Sequence, residues 1–203
     1  DLEQLTDVIV RQTNDLRHIV DEFSKFARMP EPDRRTNDLT SILRDAVTLQ
    51  KAGQPDVTFE LSMPDHVILA DLDGTMMTQA LTNLIKNAGE AIETLMEKEQ
   101  FRDVDPQVKI TMTLLDESAQ ITIADNGVGL PEDRAKLFEP YVTTREKGTG
   151  LGLPIVKKII DEHGGALTLT DAPAFDDTGR FGAMAVITLP FQAADAWHIK
   201  ETA

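Results

Sequence analysis

The first thirty residues carry apolar side chains at helical spacing on an otherwise polar background. The apolar positions advance in steps of three and four, with Gln12 filling one place in the stripe; they are Leu5, Ile9, Leu16, Ile19, Phe23 and Phe26. This pattern predicts one long helix. A stripe so narrow on a charged helix favours a helical bundle, to which we assign residues 1–30. An ordinary amphipathic helix packed on its own domain is the alternative.

Two prolines, Pro30 and Pro32, follow this helix. Each disfavours helical backbone at the residue before it, so we expect a linker over residues 31–37. Asp38 is a suitable N-cap for a new helix. A second unit is expected over residues 38–192, followed by a C-terminal tail over residues 193–203.

Apolar and polar residues alternate in short stretches of the second unit, as they do in half-buried strands. Strands are predicted at residues 57–61, 66–70, 108–114, 120–124, 166–170 and 184–189. Helical spacing predicts long helices at about 73–97 and 152–163. Helices on one face of a mostly antiparallel sheet make an α+β two-layer sandwich. The connection over residues 131–150 is long, and we expect it to act as a lid.

Composition narrows the class of protein. The 203 residues include 20 basic and 35 acidic side chains, a net charge of −15, and no cysteine. Without a basic patch we expect no nucleic-acid partner. Disulfides and thiolate metal sites are excluded, and no apolar run reaches the roughly 20 residues that span a bilayer. Because residue 1 is Asp rather than Met, we expect a piece of a longer protein. The absence of cysteine fits a reducing cytoplasm, and without a membrane-spanning run we expect no membrane contact by this piece.

Asn83 and Asn87 stand four residues apart on the predicted helix 73–97, so both point to the same side of it. Leu84, Ile85 and Ala88 occupy the other side. An amide oxygen is a hard, neutral ligand that suits Mg²⁺. The pair is therefore a candidate metal-binding face, and a solvated polar face is the alternative.

Asp125 ends a predicted strand and begins the turn Asp125-Asn126-Gly127-Val128-Gly129. A carboxylate there can accept a hydrogen bond from the exocyclic amine of adenine, whereas guanine offers a carbonyl at that position. Glycines in the turn let the backbone approach the ring. A plain Asp-Asn-Gly turn is the alternative.

Three alternate glycines, in the run Gly148-Thr149-Gly150-Leu151-Gly152, open the predicted helix 152–163. Backbone N–H groups at the start of a helix bind anions, so this run is a candidate phosphate loop. Arg145 and Lys147 just before it are candidate cationic donors, or else solvated charges. A dinucleotide-binding fingerprint would need a preceding strand and a βαβ unit, and neither is predicted here.

In order and spacing, these three segments resemble the N, G1 and G2 boxes of the histidine kinase catalytic domain, in the GHKL superfamily that includes gyrase B, Hsp90 and MutL. The run Leu137-Phe138-Glu139-Pro140-Tyr141 is similar to the F box. The resemblance implies the Bergerat-type ATP-binding fold, with ATP and Mg²⁺ as cofactors, Asn87 on the metal and Asp125 on the adenine amine. The candidate ATP-site residues are Asn83, Asn87, Asp125, Gly127, Gly129, Phe138, Arg145, Lys147, Gly148, Thr149, Gly150, Leu151, Gly152 and, on the last strand, Thr188.

Two departures distinguish this chain within the superfamily. Asn83 stands where gyrase B and Hsp90 carry the glutamate that activates water, and an amide cannot act as that base. Many histidine kinases place a basic residue and then an aromatic ring where this chain has Glu90 and Ala91. The sequence Asn-Ala-Xaa-Glu-Ala is typical of the NtrB- and NtrY-like kinases of nitrogen regulation. Because Asn83 cannot activate water, we expect slow ATP hydrolysis and retention of ATP for transfer.

A phosphoacceptor histidine in this family lies in a His-Glu-Xaa-Xaa-Asn-Pro type motif on the first bundle helix. His18 lacks that motif, so residues 1–30 resemble the second helix of the dimerisation bundle, and we expect the acceptor outside this sequence. The resemblance implies transfer of the γ-phosphoryl group of Mg·ATP to that histidine and then to a response-regulator receiver domain. The parent would be a homodimeric, membrane-anchored sensor kinase.

Two other functions stay open at this point. The first is a GHKL-type ATPase, against which Asn83 argues because it replaces the water-activating glutamate. The second is a non-catalytic nucleotide-binding dimerisation module, against which the intact glycine boxes argue.

Overall fold

A computed structural model describes residues 2–97, 104–116, 118–140, 150–175, 181–190 and 198–200. Its first helix, α1 (Leu2–Ala27), lies where the apolar stripe predicts a helix. Leu5, Ile9 and Leu16 of the stripe are exposed, whereas Phe26 packs against the core of the second unit. Within the described residues, α1 therefore touches the rest of the chain mainly through its C-terminal end.

The second unit contains helices α2 (Leu39–Gly53), α3 (Gly74–Met96) and α4 (Gly152–Glu162), with a 3₁₀ helix at Ala135–Phe138. Its strands in the described residues are β1 (Arg35–Asp38), β2 (Thr58–Ser62), β3 (Val67–Leu72), β4 (Gln107–Leu114), β5 (Ser118–Asp125), β6 (Ala166–Asp171), β7 (Ala183–Pro190) and β8 (His198–Lys200).

The main sheet has five strands in the order β2-β4-β5-β7-β6. β2 and β4 run parallel, and each other pair of neighbours runs antiparallel. Alternate side chains of β4, β5 and β7 are buried, for example Ile110, Ile121 and Ile187. They pack with the buried faces of α2, α3 and α4 in one apolar core. This arrangement confirms the predicted α+β two-layer sandwich.

A second, smaller sheet in the order β1-β3-β8 lies apart from the main one. Residues 35–37, which the prolines placed in a linker, belong to β1, and Arg35 to Asp38 pair with Leu72 to Leu69 of β3. The sequence Arg-Thr-Asn-Asp shows no apolar alternation, so its pairing with β3 decides its conformation. β8 lies in the expected tail and pairs with the other edge of β3.

Side-chain caps set where the two helices after β1 and β3 begin. Asp38 accepts a hydrogen bond from the Thr40 N–H at the start of α2, as the sequence predicts, and Asp73 accepts one from the Met76 N–H at the start of α3. Each cap satisfies a backbone donor that the first helical turn leaves without an intrahelical partner. The caps therefore stabilise the first turns of α2 and α3.

Candidate functional site

The site is built on one face of α3. Asn83 and Asn87, which we call the amide pair, are half-buried on this face. Leu81, Leu84 and Ile85 of the same helix are buried in the core. The 3.6-residue period of the helix thus separates an apolar side from a polar side, as the sequence predicts.

Asp125 is the last residue of β5, and the residue is only 4% exposed. Its Oδ1 accepts hydrogen bonds from the N–H of Gly127 at 2.8 Å and from the N–H of Ala183 at 3.3 Å. Two backbone donors, one from the turn after β5 and one from the start of β7, therefore fix the orientation of this carboxylate. Such fixed geometry is what a recognition group needs, since little conformational entropy remains to be lost on binding.

The turn after Asp125 packs directly on α3. The Val128 N–H donates to the Ala91 carbonyl at 3.2 Å. A Cβ added at Gly127 would lie 2.5 Å from the carbonyl carbon of Ala91, so no larger residue fits there. Gly129 has a φ of +78°, which favours glycine. Because Ala91 follows Asn87 by one helical turn, the turn lies beside the amide pair.

Asn126 and Gly182 hold the same turn from the other sides, and sequence reasoning gave neither a defined role. The Asn126 Oδ1 accepts from the Gln107 N–H at 3.0 Å, and its Nδ2 donates to the Asp105 carbonyl at 2.7 Å. A Cβ at Gly182 would lie 1.9 Å from the carbonyl oxygen of Asp125. The available signals were an Asn next to the turn's Asp and a glycine just before a strand, and both are too common to be specific.

The candidate phosphate loop reaches the amide pair from α4. Gly152 is the first residue of α4, and a Cβ built on it would lie 4.0 Å from the Asn87 Nδ2. Leu151 is fully buried, and Gly150 has a φ of +70°. The start of α4, with its N–H groups, therefore lies beside Asn87. The predicted site residues Arg145, Lys147, Gly148 and Thr149 lie outside the described residues.

Phe138 lies beside the start of α4, and Thr188 lies away from the Asp125 turn. Phe138 ends the 3₁₀ helix, packs against the core and lines a cleft of about 500 Å³ with Phe26 and Pro154. Thr188 pairs with Gln120 and stands five residues beyond Ala183 on β7, about 16 Å along an extended strand. The structure therefore does not bring Thr188 to Asp125, and the backbone of Ala183 occupies that place instead.

No described helix is long and apolar enough to cross a membrane. In the part of the chain that the structure describes, no group of three or more His, Cys, Asp or Glu side chains could hold a metal ion. A metal at this site would therefore depend on few protein ligands, such as the Asn87 amide oxygen, together with oxygens of a bound ligand.

Comparisons with known proteins agree on one family. A family model described as histidine kinase-, DNA gyrase B-, and HSP90-like ATPase matches residues 72–193. The nitrogen regulation protein NtrY of Azorhizobium caulinodans is 48% identical over 174 residues, which are 84% of this chain and 22% of that protein. The sensory histidine kinase/phosphatase NtrB of Rhodobacter capsulatus is 32% identical over 186 residues, 85% of this chain and 50% of that protein.

Among solved structures, full-length ShkA in complex with AMPPNP matches with a TM-score of 0.67 and 25% sequence identity. The match covers 94% of this chain and 39% of that one. The chain thus spans about a fifth of NtrY and half of NtrB, the two curated relatives named above.

Proposed function

Because the chain belongs to the family of histidine kinase-, DNA gyrase B- and Hsp90-like ATPases, we propose that it binds Mg·ATP as the catalytic domain of a sensor histidine kinase. One observation carries the proposal. A single face of α3 adjoins both glycine segments: Gly127 packs on the Ala91 backbone, and a Cβ built on Gly152 would lie 4.0 Å from the Asn87 side chain. The three boxes thus converge on one place, as a nucleotide site requires.

In this proposal the Asp125 carboxylate recognises the base. Its Oδ1 is held by the N–H groups of Gly127 and Ala183, so the carboxylate is oriented before adenine arrives. A carboxylate accepts from the amino group of adenine and repels the carbonyl of guanine. Preference for adenine over guanine nucleotides follows from that difference.

The phosphate end of the site is assigned to Asn87 and to the start of α4. The Asn87 oxygen offers one neutral ligand position for Mg²⁺, and the remaining positions would be taken by phosphate oxygens and water. The N–H groups of Gly152 and Leu153, the first two residues of α4, are oriented to donate to phosphate oxygens, whereas Pro154 has no N–H. When bound, Mg²⁺ would neutralise negative charge on the phosphates of the nucleotide.

The reaction we propose is phosphoryl transfer to a histidine, rather than hydrolysis. Asn83 is the polar side chain one turn before Asn87, and an amide cannot accept a proton from water. The domain would hold the γ-phosphoryl group for an acceptor histidine that lies outside this sequence. Its residues would contribute positioning and charge stabilisation, which dominate catalysis of phosphoryl transfer.

The wider assignments concern the parent protein and are proposals as well. The exposed stripe on α1, including Leu5, Ile9 and Leu16, is suited to a bundle helix in a homodimer. Similarity to NtrY and NtrB supports transfer onward to a response regulator of nitrogen metabolism. We place this chain in the cytoplasmic part of a membrane-anchored sensor.

Isothermal titration calorimetry with ATP, ADP and GTP, each with and without Mg²⁺, tests the proposed function. We expect ATP and ADP to bind, Mg²⁺ to strengthen ATP binding, and GTP to bind at least about tenfold more weakly, because one good polar contact discriminates by that much. Equal binding of GTP and ATP would contradict the role of Asp125. Rapid hydrolysis of ATP would favour the rival ATPase function.

A further inference from the structure

Three segments meet at the N-terminal end of α3. They are the connector of residues 28–34 that follows α1, the first turn of α3, and the C-terminal end of α4. Asp73 joins two of them: its Oδ1 accepts from the Met76 N–H at 3.0 Å, and its Oδ2 accepts from the Asp33 N–H at 2.9 Å. One carboxylate therefore attaches the connector to the start of the helix that carries the amide pair.

His163 joins the third segment. Its imidazole is buried, with 5% of the residue exposed, just after the end of α4. Its Nε2 accepts from the Asp73 N–H at 3.0 Å, and its Nδ1 is 2.8 Å from the Ile159 carbonyl oxygen. A backbone N–H only donates and a carbonyl only accepts, so the proton is on Nδ1 and the ring is neutral. His163 thus ties the end of α4 to the start of α3.

The connector is also attached to α4 directly, since the Arg34 guanidinium donates to the Glu162 carbonyl. Burial raises the pKa of Asp73, but backbone N–H groups of Met76, Asp33 and Thr75 that donate to its carboxylate outweigh this effect, and the pKa is lowered. The carboxylate that receives the connector is therefore ionised at neutral pH. Its hydrogen bonds are charge-assisted, which strengthens the attachment.

We propose that His163 is a positioning residue for nucleotide binding, which holds α3 and α4 in register and, through Asp73, couples the nucleotide site to the connector. This inference rests on the proposed function. The two helices run antiparallel and are bridged at two places, by His163 and Asp73 at one end and by the approach of Gly152 to Asn87 at the other. A helix transmits a displacement along its axis because its backbone is hydrogen-bonded throughout.

The two helix segments that link the junction to the nucleotide site have similar lengths. Asn87 lies fourteen residues after Asp73, about 21 Å along α3, and Gly152 lies eleven residues before His163, about 16 Å along α4. A change of angle at the shared junction would alter the spacing of Asn87 and Gly152. Conversely, a nucleotide that draws Asn87 and Gly152 together would tighten the junction and the connector attached to it.

The test compares His163→Phe, which removes the acceptor, with His163→Gln, whose Oε1 can still accept from the Asp73 N–H. His66→Phe is the matched control, because the half-buried His66 has no hydrogen-bond partner for Nε2 among the described residues. Calorimetry gives the Kd of Mg·AMPPNP at a temperature where circular dichroism shows each variant folded. Amide exchange by NMR, with and without Mg·AMPPNP, follows the N–H groups of Asp33 and Asp73.

We expect His163→Phe to raise the Kd about five- to tenfold, His163→Gln to raise it less, and His66→Phe to leave it unchanged. In the wild type, nucleotide should slow exchange at Asp33 and Asp73, and in His163→Phe it should not. A merely structural role would lower the melting temperature without changing either readout in the folded protein.

A folded His163→Phe variant with the wild-type Kd would overturn the inference. If that variant does not fold, amide exchange in the wild type alone tests the coupling. Exchange at Asp33 and Asp73 that nucleotide does not slow would overturn the coupling. A wild-type chain that binds no adenine nucleotide would overturn the proposed function too. Normal wild-type binding with an unaffected His163→Phe would overturn this inference and leave the proposed function standing.

Discussion

Gly182 lies directly against the backbone of Asp125. A Cβ added at Gly182 would stand 1.9 Å from the Asp125 carbonyl oxygen, well inside contact distance. The next residue, Ala183, donates its N–H to the Asp125 side chain. The start of β7 thus fixes both the main chain and the carboxylate of the residue assigned to adenine, although the two segments lie more than fifty residues apart in sequence.

Gly182→Ala should therefore displace Asp125 and weaken nucleotide binding. We expect a loss of stability of about 1–3 kcal/mol, the usual cost of overpacking, and a higher Kd for ADP. Chemical denaturation and calorimetry measure the two effects. Gly53→Ala is the control, because a Cβ there meets no atom within 4 Å; equal behaviour of the two variants would contradict the contact.

Asp125→Asn should nearly abolish binding of adenine nucleotides. An amide oxygen can still accept a hydrogen bond, but the interaction is weaker by about 1–3 kcal/mol because it is no longer charge-assisted. The measurement is the Kd of ADP by calorimetry. Asp116→Asn, at an exposed position, should leave that Kd unchanged. If Asp125→Asn binds ADP as the wild type does, Asp125 is not part of the site.

Asn87→Ala should weaken binding of Mg·ATP more than binding of metal-free ADP. The reason is that Asn87 is assigned to the metal and lies beside the start of α4. Titrations with and without Mg²⁺ measure the difference. Asn14→Ala on the exposed surface of α1 serves as the control. Equal losses in both conditions would indicate a structural role instead.

ATP hydrolysis by this chain should be slow or undetectable, and His18 should not become phosphorylated. Asn83 cannot take a proton from water, and His18 lacks the flanking residues of an acceptor motif. Incubation with labelled ATP, followed by an assay for acid-labile phosphate, tests both statements. Label that is present in the wild type and lost in His18→Gln would show that His18 is an acceptor.

Asp73 should make stability depend on pH in the acid range. Its pKa in the folded chain is lowered, on balance, by the N–H groups that donate to it. The stability it contributes is therefore present above the unfolded-state pKa, about 4, and is lost as pH falls through the lower folded-state value. Asp73→Asn keeps one acceptor for the cap but loses the charge and the acceptor for the Asp33 N–H, so it should cost about 0.5–1.5 kcal/mol at pH 7, the net value of one hydrogen bond. Urea denaturation at pH 7 and at pH 3 measures this, and the difference from wild type should shrink at pH 3. A constant difference would contradict ionisation of Asp73 as the cause.

Local patterns in the sequence were sufficient for most of the elements and for the positions of Asn83, Asn87 and Asp125 on them. The apolar spacing of α3 placed Asn83 and Asn87 on the polar side, because the helical period depends only on residues within a few turns. The alternation in β4 and β5 located Asp125 at a strand end for the same reason. The glycines around Gly127 and Gly152 indicated that the backbone comes close to other groups there, although the sequence does not identify those groups.

Only the tertiary structure determined which residues of those elements contact one another. The strand at residues 35–38 has no pattern of its own and exists through pairing with β3. The register of β7 put Ala183, not Thr188, beside Asp125. The bond between His163 and the Asp73 N–H joins residues ninety positions apart. Such contacts depend on how the chain closes its long loops and packs its core, and the free energy of that packing belongs to the whole domain rather than to any short segment.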